Sequence, residues 1–253
     1  MSAFKSFNAI TGRNKIIIKR TLVISDIHGM YQALRDLLRA VRYEPSQDAL
    51  ICLGDSIDRG PDSRKVVEFF MKLKKDHGPR VILLKGNHED MCVVANTGGL
   101  IGGADAKSLW HVNDGDVTLA SWDKNIPPDV ILFMDALPLY HEDEDFIFVH
   151  AGIDPARSLA DTDPYVFLWS RNALPHMSGK IVVAGHTIQD TGVTFDVRAN
   201  TLFVDTGACG AVFGYPGQLS IVDLTANTVH FIRTDTGITG KYLMDLVRES
   251  STS

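Results

Sequence analysis

The stretch "TLVISDIHGMY", Thr21 to Tyr31, decides how this chain is read. Apolar Leu22, Val23, Ile24 and Ile27 enclose a polar kernel, Asp26-x-His28, that closes on Gly29. Thr21 to Ser25 reads as a buried strand, and the chain leaves it presenting a carboxylate and an imidazole. Alone, the fragment supports two readings. An Asp after a strand is commonly a helix N-cap, and a single His is commonly structural. The rest of the sequence chooses between them.

Outward from this strand, "GMYQALRDLLRAVRY" carries apolar residues at Tyr31, Leu34, Leu37, Leu38 and Val41, a helical spacing. "DALICLGD" reads as a second strand, "DSRKVVEFFMKLKKDHG" as a second amphipathic helix and "RVILLKGNHE" as a third strand. This βαβαβ run predicts a parallel sheet with right-handed crossovers. From about Met91 to Pro138 the pattern is irregular and reads as a helical insertion over one edge of the site. The remainder is β-rich, with "FIFVHAGI", "KIVVAGHT", "TLFVDTGA", "QLSIVDL" and "TVHFIRT". The acidic run His141 to Asp145 reads as a solvated hairpin tip. The fold class expected is α/β, a two-sheet β-sandwich flanked by helices. Residues 1–20 read as an extension ending in a short strand at Lys15 to Ile18, 21–245 as a single catalytic domain, and 246–253 as a tail.

The other strands end much as the first does. The second ends in Gly54-Asp55-Ser56-Ile57-Asp58-Arg59-Gly60 and the third in Gly86-Asn87-His88-Glu89. Later strands end at His150, in "VHAG", and at His186, in "AGHT". Ligands of α/β sheets bind beyond the carboxyl ends of parallel strands, so these kernels converge in space. Asp, His and Asn are ligands for manganese, iron or zinc. Two such ions about 3.5–4 Å apart clamp an in-line displacement at phosphorus, with one carboxylate bridging them.

The set "SDIHG", "GDSIDRG", "GNHE", "VHAG" and "GHT" resembles the phosphoprotein phosphatase family of metallophosphoesterases, in particular the bacterial and bacteriophage-lambda-type Ser/Thr protein phosphatases. "FVDTGA" near Asp205 resembles their C-terminal part. The resemblance implies the calcineurin-like fold and two divalent ions, manganese first, with iron or zinc as alternatives. It implies Asp26 and His28 on the first ion, Asp55 bridging, and Asn87, His150 and His186 on the second. His88 would be the general acid, oriented by Asp58, while Arg59 and Arg171 in "FLWSR" would hold phosphate oxygens next to Asn87. The implied reaction is hydrolysis of phosphoserine or phosphothreonine, and conceivably phosphotyrosine, by a metal-bridging hydroxide without a phosphoenzyme. It also implies Asn113, in "WHVNDGD", near the cleft. The residues themselves make the same demand. A phosphomonoester dianion on an acidic protein needs fixed cations, guanidinium matches phosphate bidentately, and an alkoxide leaving group needs a proton donor. Glu89 is expected to cap or brace the helix that follows, and Trp169 to be core. Ser25 stands where the family usually has Gly, with no evident reason.

Composition bounds the partners. The chain has 253 residues and a formal net charge of −6, which argues against a nucleic-acid binder. The three cysteines, at 52, 92 and 209, form no disulfide framework, and Cys52 reads as a buried thiol, so a reducing cytoplasm is expected. No apolar run is long enough to span a bilayer. A phosphoprotein or phosphopeptide substrate is therefore expected, with no nucleic acid, no membrane and a monomer as the working unit. The nearest rival is a symmetrical dinucleoside tetraphosphate hydrolase, whose family generally replaces the Asp of "DRG", present here as Asp58. A phosphodiesterase or nuclease usually carries Gly-His-x-His, and position 188 is Ile. A non-catalytic binding module would be expected to lose His88 or a ligand. Neither Cys-x5-Arg nor a phosphate-binding P-loop occurs.

Overall fold

The computed structural model describes residues 8–11, 14–214 and 217–244, so the expected tail lies outside the described residues. Within the expected extension, β1 (Asn8–Thr11) and β2 (Asn14–Ile17) pair antiparallel as a separate hairpin. Two strands thus form where the sequence pointed to one.

The chain then enters β3 (Thr21–Ile24), buried at every position. It continues through α1 (Tyr31–Ala40), β4 (Ala49–Cys52), α2 (Ser63–His77) and β5 (Val81–Leu83). β3, β4 and β5 are parallel neighbours. Both faces of these strands are covered, which is why they read as unbroken apolar runs rather than as an alternation. Leu22, Ile24 and Leu50 pack against Leu34, Leu37, Val66 and Phe70 of the two helices. Val23, Ile51 and Leu53 face the other way.

The third strand is shorter than its apolar run suggested. Gly86 is an N-cap, and α3 (Asn87–Thr97) starts at Asn87, with Glu89 completing a capping box on the Gly86 amide. Asn87 and His88 therefore lie in the first turn of a helix. The insertion continues with the small hairpin β6 (Leu100–Ile101) and β7 (Ala104–Asp105), then α4 (Ala106–Val112), α5 (Gly115–Ser121) and α6 (Pro128–Asp135). It has its own apolar centre of Met91, Cys92, Trp110, Trp122 and Met134, joined by Ile57 from the loop after β4.

β8 (Tyr140–Glu142) and β9 (Phe146–Val149) pair antiparallel around the acidic turn. There follow α7 (Pro164–Trp169), β10 (Ile181–Ala184), β11 (Thr194–Asp196), β12 (Thr201–Phe203), β13 (Gln218–Asp223), β14 (Thr228–Arg233) and β15 (Thr239–Leu243). One sheet runs β15-β14-β13-β3-β4-β5 and the other β11-β12-β10-β9-β8. Val23, Ile51, Leu53 and Val222 of the first meet Phe148, Ile181, Val183 and Leu202 of the second. Phe167, Ile153 and Leu159 cover the outer face of the second sheet. The result is the expected sandwich of two sheets between helices. Among the described residues no helix is long and apolar enough to cross a membrane.

Candidate metal centre and active site

Both sheets deliver residues to one place. Asp26 and His28 follow β3, Asp55 to Arg59 follow β4, and Asn87 and His88 open α3 after β5. His150 follows β9 and His186 follows β10. The turns are laced together by backbone: Asp26 N–H donates to Gly54 O at 3.1 Å, His28 N–H to Asp55 O and Gly29 N–H to Ser56 O, each at 2.9 Å. The sheets join where His186 N–H donates to Asp26 Oδ2 at 3.0 Å. Asp26, His28, Asp55, Asp58, Arg59 and His186 all hold positive φ, between 46° and 69°. Non-glycine residues seldom adopt that region, and its concentration here is strain held by the surrounding bonds to aim side chains inward.

Glu89 supplies the main brace. Its buried carboxylate accepts from Asp55 N–H at 2.9 Å, Ser56 N–H at 2.6 Å and Gly86 N–H at 2.9 Å, so it ties the end of β4 to the start of α3. A Cβ at Gly86 would fall on the Asp55 carboxylate, and one at Gly185 on Ser25 Oγ and the Asp26 carboxylate. Ser25 now has a physical account: its hydroxyl donates to Asp26 Oδ2 and, with His186 N–H, orients that carboxylate.

Asp55 sits at the centre. Its oxygens lie 3.6 Å from His28 Nε2, 3.9 Å from His88 Nε2 and 3.5 Å from His150 Nε2. Two donor groups share it, His28–Asp55–His88 and Asp55–His150–His186, all buried. Ligands about 2.1 Å from an ion in tetrahedral array are about 3.4 Å apart, so the spacing suits coordination. The hydrogen bonds suit it too. His28 Nδ1–H donates to Ile57 O at 2.8 Å and His150 Nδ1–H to Leu53 O at 3.1 Å, which turns each Nε2 lone pair inward. His150 Nε2 then faces Asn87 Oδ1 at 2.9 Å. Two acceptors at that distance repel unless a cation lies between them, and burial lowers the His150 pKa, which disfavours an imidazolium. The residues therefore fit a divalent ion, with Asp55 in both groups.

The structure brings all ten of the sequence-derived residues to this centre or its rim. His88 shares a donor group with His28 and Asp55, whereas the Asp26 carboxylate is engaged by Ser25 and His186. His88 differs from the other imidazoles in its partner: Nδ1 donates to the Asp58 carboxylate at 2.7 Å. Asp58 also accepts from Trp110 Nε1 at 2.9 Å and Thr118 Oγ1 at 2.6 Å. Burial nevertheless pushes its carboxyl up to about 7, and burial holds His88 well below the usual imidazole range. Arg59 donates to His28 Nε2 at 2.9 Å and His88 Nε2 at 3.1 Å, which fixes both tautomers. Arg171 reaches in from the rim, donating to His186 O at 2.9 Å.

Trp110 and Thr118 escaped the sequence reading because nothing in a helical apolar pattern marks an indole N–H or a hydroxyl as a partner for a residue more than fifty positions away. Asn113 stays within its helix, donating to Leu109 O at 2.8 Å. Asp205 is buried, accepts from Gly207 N–H at 2.9 Å, and has its carboxyl pushed well up by burial and then by Asp26.

Carboxylate and imidazole donors gathered at the parallel strand ends of a two-sheet sandwich define a metal-dependent phosphoesterase. The chain belongs to the calcineurin-like phosphoesterase family, which it matches over residues 19–214. It is 32% identical to serine/threonine-protein phosphatase 1 of Salmonella typhimurium, covering 79% of this chain and 89% of that protein. It is 33% identical to the symmetrical bis(5'-nucleosyl)-tetraphosphatase of Methylococcus capsulatus, over 53% of this chain and only 43% of that protein. A solved structure of a cold-active protein-tyrosine phosphatase from a psychrophilic Shewanella shares the fold, with a TM-score of 0.59 at 19% identity over 88% of this chain and 80% of that one.

Two predictions follow from the geometry. Glu89→Ala leaves two buried N–H groups, of Asp55 and Gly86, and the half-buried one of Ser56 without an acceptor, each buried one costing about 1–3 kcal/mol. Urea denaturation should register a loss of at least about 2 kcal/mol, together with loss of bound metal. Burial and the neighbouring Asp26 and Glu89 push the Asp55 carboxyl well above the carboxylate range. Ligation requires the carboxylate form, so affinity should rise with pH where the carboxyl titrates. Calorimetry of manganese binding to the chelator-treated protein, in buffers of different ionisation enthalpy, should detect net proton release.

Proposed function

We propose that the chain is a metal-dependent phosphoprotein phosphatase acting on phosphoserine and phosphothreonine, with phosphotyrosine as a further candidate. The observation that carries the reading is the His88–Asp58 contact at 2.7 Å, set beside Arg59 and the two donor groups. Asp26 and His28, with Asp55 shared, would hold one divalent ion, and Asn87, His150 and His186 the other. Bound there, such ions supply Lewis acidity and bring the ionisation of a water near neutrality.

The chain's own residues do the rest. Arg59 and Arg171 offer bidentate donors to the phosphate oxygens and offset the acidity of the site. Asn87 adds a ligand oxygen without a further negative charge. Once phosphate draws the Arg59 donor from Nε2, His88 would take up a proton there from water and pass it to the departing alkoxide, while Asp58 holds the ring and stabilises its cationic form. A phosphate dianion arriving beside Nε2 raises the imidazole's proton affinity, reversing the effect of burial. The partner of His88 supports its role as acid. His28 and His150 lean on neutral backbone carbonyls, as ligands do, whereas His88 leans on a carboxylate.

The length of the similarity also supports this reading. The bacterial protein phosphatase aligns over nearly its full length, whereas less than half of the tetraphosphatase does. Dinucleoside tetraphosphate hydrolysis is the second reading because that relative is equally identical where it aligns.

With manganese present, phosphoserine peptides should be cleaved with far higher kcat/KM than diadenosine tetraphosphate, and excess chelator should abolish both activities. The reverse preference would replace the proposal with the second reading. His88→Asn should lower kcat by about 10²–10⁴-fold while metal content stays near the native value. Joint loss of turnover and metal would make His88 a ligand.

A further inference from the structure

A cavity of about 520 Å³ opens beside the centre and takes no part in the chemistry described above. Ile188, Cys209 and Phe213 line it. It adjoins the centre. The Phe213 ring lies 5.9 Å from the Arg59 guanidinium carbon, and Gln189 N–H donates to Asp205 O at 2.9 Å. Ile188 is two residues beyond His186. Ile188 and Phe213 are 56% and 53% exposed, an unusual cost for two large apolar groups placed together at the entrance to a charged site.

Several polar groups of the cavity wall are engaged within the protein, whereas the Asp190 carboxylate and the Arg233 guanidinium stand at its rim. Gln189 Nε2 donates to Thr187 O at 3.0 Å and Gln218 Nε2 to Ser220 Oγ at 3.2 Å. Thr206 Oγ1 donates to Gln218 O at 2.9 Å. Arg233 Nε lies 3.7 Å from Asp235 Oδ1. The part of the cavity nearest Arg59 is the Phe213 ring, with Ile188 and Cys209 beside it in the wall, and these offer a ligand apolar surface. An aliphatic or aromatic side chain needs no polar partner there. An extended peptide advances about 3.3 Å per residue, so a residue one or two places from the phosphoresidue spans the separation between Arg59 and Phe213.

We propose that the Ile188–Phe213 cavity is a specificity subsite that takes an apolar side chain one or two residues from the phosphoresidue of a protein substrate. The inference rests on the phosphoprotein phosphatase reading. It makes this surface, rather than the metal centre, the part of the chain that selects among phosphopeptides. Discrimination for one buried apolar group in such a pocket is expected to be about tenfold or more in kcat/KM.

The test uses the manganese-loaded full chain and phosphoserine peptides with leucine or asparagine at the two positions on either side of the phosphoserine, together with diadenosine tetraphosphate. The expected result is a preference of about tenfold or more for leucine, which collapses toward unity in Ile188→Asp. That variant replaces an exposed side chain, and the ratio is read within one enzyme, so a general loss of activity does not mimic the effect. Phe213→Ser should reduce the ratio in the same direction. Equal cleavage of both peptides by the native enzyme would overturn the subsite and leave the phosphatase reading intact. Cleavage of diadenosine tetraphosphate with neither peptide cleaved would overturn both. A leucine preference unchanged in both variants would place the selecting surface elsewhere and overturn the assignment to this cavity.

Discussion

Glu89 accepts from three backbone amides, two after β4 and one at the cap of α3, and the candidate centre depends on that buried set of bonds. Parallel strands end at similar heights, but their side chains point along the strand normals and not toward one another. The turn after each strand must be bent back to bring them together. One carboxylate acting on the amides of Asp55, Ser56 and Gly86 does this for two strands at once. It fixes Asp55 between the donor groups and starts the helix that carries Asn87 and His88. The positive φ of Asp55, Asp58 and Arg59 is the conformational cost of that bend.

Electrostatics within the centre are arranged around burial. His28, His88, His150 and His186 are driven toward their neutral forms, His186 down to about 2, by burial first in each case. Asp55 and Asp205 are driven toward theirs by the same cause, with Asp26 adding repulsion. Neutral imidazole is the form that ligates a metal. Burial opposes the charged form of these acids, and an ion would favour it. Burial therefore prepares the histidines for an ion and makes occupancy of the carboxylates sensitive to pH.

The insertion supplies the groups that hold the Asp58–His88 pair. Trp110 and Thr118, both from helices of the insertion, hold Asp58 in place with its oxygens toward His88. The outer wall on the other side, at Ile188 and Phe213, comes from the loops after β10 and β12. The central strands thus carry most of the candidate ligands, while the Asp58 partners and the Ile188–Phe213 cavity come from segments added around them.

The sequence by itself determined the central strands, the two helices after β3 and β4, and the residues of the centre, because each lies in a short local pattern. An apolar run followed at once by Asp, His or Asn beside Gly is visible within a few positions. The acidic run His141 to Asp145 was legible as a hairpin tip from its charge between apolar stretches, although His141 and Glu142 belong to β8 and the turn itself is 143–145. Tertiary structure alone decided what joins distant segments: the bond from Ser25 to Asp26, the three-amide brace of Glu89, and the indole and hydroxyl on Asp58. It also ended the third strand early, because a capping box at Gly86 overrides an apolar run that propensity alone would extend. These features depend on which groups meet after two sheets close on one core, and a hydrogen-bond partner across fifty or more positions leaves no periodicity in the chain.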